Sequence, residues 1–193
     1  QNTATQKTIV KNAHRIAKGK KLSIGPITLR PRYNPNATQP DKDVSNTPLP
    51  SSVDARQRTW FAEGWTAMSI RSLTESESIS TLTYFETLGW RGIRELSTGS
   101  KDSLNFSSKA GEEFPVWRLF KHLNGFTHAR PTASSLPESV DCLVVTSDQK
   151  VKVILVNFST IEQEVKFSGI ELKPQTLKPE SVTYLEVTGV ANV

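Results

Sequence analysis

The sequence predicts an α/β chain in two parts: the closing β/α units of a (β/α)8 TIM barrel over residues 1–128, and a small antiparallel β-sandwich over residues 139–193, joined by a linker at 129–138. Three observations predict it. Segments up to residue 128 alternate helix, strand, helix, strand, helix, the order that builds a parallel sheet with helices outside. Beyond residue 139 the apolar residues recur with a period of two, as in half-buried strands. Between them, "ARPTASSLPE" has the Pro and Ser content of a linker. Parallel strands are buried on both faces, so two strands need neighbours that these residues do not supply. The sequence therefore predicts a truncated barrel whose earlier strands precede Gln1, itself not a Met. A self-contained α+β domain is the alternative.

Each element has its own signal. In "TIVKNAHRIAK", residues 8–18, Ile9, Val10, Ala13, Ile16 and Ala17 fall on one helical side, and Gly19 is a stop. "LSIGPITLRPR" then reads as a strand through Leu22, Ile24, Ile27 and Leu29, ending in Arg30, Pro31 and Arg32. Residues 33–53 hold four prolines among Asn, Asp, Ser and Thr, which is loop chemistry. A loop of that length is uncommon in a compact domain unless it serves a site. Asp54 is a good N-cap for the helix that follows, in which Phe61, Trp65 and Met68 make a heavy apolar stripe beside Trp60, Gly64 and Ala67. Gly64 costs a helix about 1 kcal/mol relative to Ala, so close packing against a neighbour is expected there.

"ISTLTYFE", residues 79–86, reads as the second strand and passes into a loop with four glycines between Glu86 and residue 112. Pro115 opens the third helix, with Val116, Leu119, Phe120 and Leu123 on one face and Asn124-Gly125 at its end. "VDCLVVTSDQKVKVILVN" reads as a hairpin turning at "SDQK", and "EVKFSG", "IELKP" and "SVTYLEV" as further short strands.

Composition narrows the function classes. With 36% hydrophobic residues, four Trp and eight Phe, the chain has the means to bury a core. Its apolar runs are strand-sized, short of the roughly 20 residues that cross a bilayer, and no membrane role is expected. The net charge of +5 is scattered among acids, apart from Lys18, Lys20 and Lys21, so no nucleic-acid partner is expected. Cys142 is the sole cysteine and sits in an apolar strand pattern, the mark of a buried inert thiol. A lone Cys and the lack of a visible leader point to the cytoplasm, and the triplets at Asn36, Asn105 and Asn157 would matter only in a secreted protein. His14, His122 and His128 lack metal-ligand spacing with Cys, Asp or Glu, and no phosphate loop or Gly-x-Ser-x-Gly elbow occurs. No metal or cofactor is expected.

Barrel enzymes keep their chemistry where strands end and βα loops begin. Both predicted strands end in chemistry-bearing residues: the first in Arg30 and Arg32, the second in Glu86, followed by Trp90 and Arg91. Asp54, Arg56 and Gln57 join the same mouth if the long loop folds back.

The runs "PITLRPRYNP", "DARQRTWFAEGW", "LTYFETLGWRG" and "VWRLFKHLNGFTHARPTASS", in this order and ahead of a β tail, resemble the C-terminal half of the D-apionate lactonase family over about residues 8–160. The resemblance implies a protein with an N-terminal region, a TIM barrel and a C-terminal β domain, and hydrolysis of a sugar-acid lactone in apiose catabolism. It also implies that this piece needs the rest of the barrel and is inactive without it. The roles themselves follow from chemistry: lactone hydrolysis requires an activated water, a stabilised oxyanion and a grip on the sugar. Glu86 suits a general acid or base. Arg30 or Arg32 suits a forked contact to an oxyanion or carboxylate, and Trp90 a stacking surface. Each has a structural rival: Glu86 pairs equally well with Arg91, Arg32 or Arg56, and Asp54 serves as an N-cap.

Two other classes stand beside the lactonase. A glycoside hydrolase needs a second carboxylate about 5–10 Å from the first, for which Glu63, placed in a helix, Glu95, a few loop acids or a residue on an earlier strand are the candidates. A non-catalytic carbohydrate-binding or scaffold module would use the β tail, whose exposed faces carry Lys, Glu and Thr without an aromatic platform.

Overall fold

The computed structural model describes residues 3–28, 59–75, 78–84, 87–88, 93–94, 100–103, 106–130, 136 and 139–188, with 100–103 and 106–108 as backbone. Helix α1 (Ala4–Ile16) begins a turn earlier than its apolar pattern indicates. It closes with Lys18 and Gly19 in the left-handed region, the Gly19 N–H donating to His14 O. Val10 is fully buried, whereas Ile9 and Ile16 are exposed. The line of α1 that meets the next helix, α2 (Trp60–Thr74), runs through Gln6, Lys7 and Val10: the Gln6 amide donates to Ser69 and Lys7 pairs with Glu75. Ile9 and Ile16 lie one step round the helix from that line.

Strands β1 (Leu22–Ile27) and β2 (Ile79–Tyr84) pair in parallel from Leu22↔Ile79 to Ile27↔Tyr84, with register shifts between Leu22 and Ser23 and between Ile24 and Ile27. A Cβ at Gly25 would overlap the Thr83 side chain, which is why the strand carries Gly there. Both strands are only partly covered, with no fully buried residue in either.

Helix α2 corrects the expected start at Asp54. Its N-cap is Thr59, in extended conformation, whose Oγ1 accepts from the Phe61 N–H at 3.2 Å; Asp54 lies outside the described residues. From Ala62 to Ser69 every residue is buried, so the helix is covered on all sides. One face meets the C-terminal sheet: Gly64 sits so near Val156 that a Cβ would lie 2.6 Å from its Cγ1, the close packing the sequence predicts. Ala67 and Met68 extend that face into the core. The other face carries Ala62, Trp65, Ser69 and Leu73.

A short hairpin, β3 (Ser100–Ser103) with β4 (Phe106–Ser108), precedes helix α3 (Pro115–Leu123), in which Pro115 occupies the first turn and Val116 and Leu119 are buried. Tyr84 at the end of β2 meets Phe120 of α3 edge to face, centroids 5.3 Å apart.

Four antiparallel strands form the main sheet in the order β10 (Ser181–Thr188), β7 (Lys150–Asn157), β6 (Val140–Ser147), β5 (His128–Arg130). The expected hairpin is β6–β7, unbroken in register from Val140↔Asn157 to Ser147↔Lys150. Residues 128–130, at the expected boundary, form β5 and pair with Val144–Thr146. Alternation sorts the side chains. Leu143, Val145, Ile154, Val156 and Val182 face α2 and α3, while Cys142, Val151, Val153 and Leu155 face the hairpin of β8 (Gln163–Val165) and β9 (Gln175–Leu177) through Val165 and Leu177. Covered on both faces, β7 is buried from Val151 to Asn157.

Asn157 ends the strand fully buried. Its amide donates to Ile161 O and Lys178 O at 2.8 and 3.0 Å, and its Oδ1 accepts from Ser159 N and Oγ. That side chain is a loop brace, closed to glycan attachment; Asn36 and Asn105 lie outside the described residues.

Candidate functional site

Because β1 and β2 are parallel and Ile27 is the register partner of Tyr84, both strands end at one edge of their sheet. In sequence, Arg30 and Arg32 follow Ile27 by three and five positions, and Glu86 follows Tyr84 by two. All eight expected site residues, Arg30, Arg32, Asp54, Arg56, Gln57, Glu86, Trp90 and Arg91, lie outside the described residues. The described part of this edge contributes Thr28, next after β1, whose hydroxyl oxygen is buried and has no hydrogen-bond partner among the described residues. Sequence reading missed Thr28, since nothing distinguishes one Thr in a strand from its neighbours.

The polar side chains that the described fold does gather lie elsewhere, where α2, α3 and the C-terminal sheet meet. Glu63 of α2 is fully buried. Its carboxylate accepts two bonds from Arg118 of α3, Nε to Oε1 at 2.7 Å and Nη2 to Oε2 at 2.6 Å, and a third from the Tyr184 hydroxyl of β10 at 2.5 Å. The fork geometry fixes the rotation of α3 against α2, and the phenol ties both to the sheet. The Glu63 contact and burial raise Tyr184 well above the usual phenol range, burial being the larger cause. Arg118 is raised chiefly by its hydrogen bond to Glu63.

One turn along α3, the His122 ring stacks on Tyr184, with centroids 3.9 Å apart and planes at 16°. Lys152 of β7 reaches up from the helix-facing side of the sheet. Its Nζ donates to His122 O at 2.9 Å, lies 3.3 Å from His122 Nδ1, pairs with Glu186 at 2.9 Å and sits 4.6 Å above the centre of the Phe126 ring. Burial, then Lys152 and Arg118, hold His122 below its usual value. Hydrogen bonds from Lys152 and Lys150 hold Glu186 below the usual carboxylate range.

This arrangement bears on the expectations for single residues. Glu63, a candidate second carboxylate on sequence alone, is sealed from solvent with its oxygens engaged, and so is corrected to a structural acid. His14 is half-buried and meets Lys20 O at 3.0 Å, and the exposed His128 meets Thr127 Oγ1 at 2.9 Å. Burial pushes the Cys142 thiol up to about 11, against a smaller opposing effect of Arg71, in keeping with an inert thiol. Among the described residues, no three His, Cys, Asp or Glu side chains come together as metal ligands, and no helix is long and apolar enough to cross a membrane.

The described fold is thus a parallel strand pair flanked by helices, followed by an antiparallel sheet. Residues 1–128 match the family described as D-apionate lactonase, TIM barrel domain, and the chain belongs to that family. Among solved structures, an endo-β-1,6-glucanase superposes with a TM-score of 0.51 at 10% identity, over 92% of this chain and 38% of the glucanase. A family 51 α-L-arabinofuranosidase from Bifidobacterium longum superposes with a TM-score of 0.53 at 11% identity, over 97% of this chain and 48% of that one. At such identities the likeness is one of fold, and the chain spans less than half the length of either. No curated protein matches the sequence.

Proposed function

We propose that the chain is the closing part of a carbohydrate-active hydrolase, and that the protein carrying it opens a sugar-acid lactone such as D-apionolactone. The observation that supports this most is membership of the lactonase barrel family over residues 1–128, joined to a parallel strand pair whose ends share one edge. In this reading β1 and β2 are the last two barrel strands, residues 139–193 form the C-terminal β-sandwich, and the rest of the barrel is required for turnover. Glu86 takes a proton from the attacking water and returns it to the leaving ring oxygen. Arg32, with Arg30, holds the developing oxyanion or the substrate carboxylate. Asp54, Arg56, Gln57, Trp90 and Arg91 line the sugar subsite, with the Thr28 hydroxyl as a partner for a substrate hydroxyl. The chemistry needs no cofactor, and the cytoplasm suits it.

The fold likeness to two glycosidases favours a second reading, hydrolysis of a glycosidic bond. With Glu63 occupied by Arg118 and Tyr184, that mechanism would draw its second carboxylate from other residues. A substrate panel separates the readings. The full-length protein is assayed against sugar-acid lactones by acid release and against aryl β-glucosides and α-L-arabinofuranosides by chromophore release. Lactone opening without glycoside cleavage is the expected result; glycoside cleavage alone would overturn the lactonase assignment.

A further inference from the structure

The junction around His122 has a property that neither reading of the catalytic site requires. We propose that the contact between His122 and Lys152 is a proton-sensitive latch, holding α3 on the C-terminal sheet at neutral pH and releasing it on mild acidification. An ammonium group can only donate, so the Lys152 Nζ contact at 3.3 Å requires a lone pair on His122 Nδ1. That lone pair exists only on the neutral ring. Uptake of a solvent proton at Nδ1 destroys the acceptor and sets a second cation against Lys152, which is 8% exposed and has little freedom to withdraw.

The groups facing the ring divide, and the two acids that favour its protonation, Glu63 and Glu186, are outweighed by burial, Lys152 and Arg118. On α3, Arg118 is one turn back and half exposed, and Lys121 is paired outward with Glu113. From α2 comes Glu63, whose carboxylate is committed to Arg118 and Tyr184. From β10 come the neutral Tyr184 ring, stacked on the imidazole, and Glu186, shared between Lys150 and Lys152. From β7 comes Lys152 itself. The acids that would welcome a histidine cation already serve other cations. The resulting preference for neutral His122 agrees with its lowered pKa.

The sign follows from linkage. A histidine lowered in the folded protein leaves stability untouched above its unfolded value of about 6.5, and stability falls as pH drops from there to the folded value, because the unfolded chain takes up the proton first. Glu186 is lowered, so it stays charged through that interval and the Lys152–Glu186 pair persists while the histidine contact is lost. The change is confined to the hold on α3.

The test is a histidine Cε1–H titration of the protein by NMR, with amide hydrogen exchange at the same pH values. His122 is expected to titrate below the ordinary histidine value of about 6.5, Lys152→Met to raise it toward that value, and the α3 amides to lose protection relative to those of β6 as His122 protonates. Should Lys152→Met fail to fold, the position of His122 in the unaltered protein, read with the α3 protection at the same pH values, still decides. A His122 that titrates at or above the ordinary value, one that Lys152→Met leaves in place, or α3 protection that does not change through its transition would each overturn the latch.

Discussion

The two sheets of this chain obey different rules. In the antiparallel sheet, β6 and β7 run eight paired residues without a break, and each apolar side chain has a covering layer on its own face. In the parallel pair the register slips at two places and no residue of β1 or β2 is fully buried. Parallel strands are stable when both faces are covered. The antiparallel sheet finds that cover within the described residues, and β1–β2 finds only part of it. Under the barrel reading, the remaining strands and helices supply the rest. Stability is therefore expected to reside in the C-terminal half, while the proposed function sets the chemistry at the edge of the weaker pair.

Substitutions at matched positions break or sharpen this contrast. Ile154 of β7 is fully buried and packs under α2 and α3, so Ile154→Ala is expected to cost about 2–5 kcal/mol. Ile24 of β1 is half-buried, and Ile24→Ala is expected to cost less than about half as much. Urea unfolding followed by fluorescence compares the two, and equal losses would erase the distinction between the sheets.

The junction comes next in size. Arg118→Ala leaves the sealed Glu63 carboxylate with Tyr184 as its remaining partner, and is expected to destabilise by about 3 kcal/mol. Glu63→Gln keeps the shape and removes the buried charge, so a loss of about 1–2 kcal/mol is expected. The order matters more than the values. If Glu63→Gln proves the more damaging, the carboxylate has a role that its structural contacts do not explain.

Gly64→Ala is smaller, because two effects oppose each other. A helix gains about 1 kcal/mol from the exchange, and the collision with Val156 costs about 1–3 kcal/mol. A net loss is expected, and Val156→Ala in the same chain is expected to relieve it. A double-mutant cycle on unfolding free energies measures the coupling, and additive effects would mean that α2 does not press on the sheet there.

Much of this fold is legible in the residues. Periodicity marks the three helices among the described residues, and the two-residue alternation of β6 and β7 carries the hairpin because both strands are long and paired locally. Helix α2 is read less well at its start. Both Asp54 and Thr59 are competent caps, and the choice falls to the residue nearest the buried Ala62–Trp65 turn. Ile9 and Ile16 look like core by spacing, yet the line of α1 that meets α2 is one step away. The proposed catalytic edge is legible only as chain order, from Arg30 and Arg32 after β1 and Glu86 after β2. The junction escaped because its members come from residues 63, 118, 122, 152, 184 and 186, far apart in sequence. Its one local signal is Lys152, a charge at an inward position of an otherwise apolar strand.

The central claim is that Glu86 moves the proton in lactone opening. Steady-state lactone hydrolysis by full-length protein carrying Glu86→Gln tests it most directly, with the unfolding midpoint measured alongside. A general acid/base of this kind contributes about 10²–10⁴-fold. The expected result is a kcat reduced by at least about 10²-fold with the midpoint unchanged. Near-normal turnover would contradict the account and leave Glu86 as the partner of an arginine.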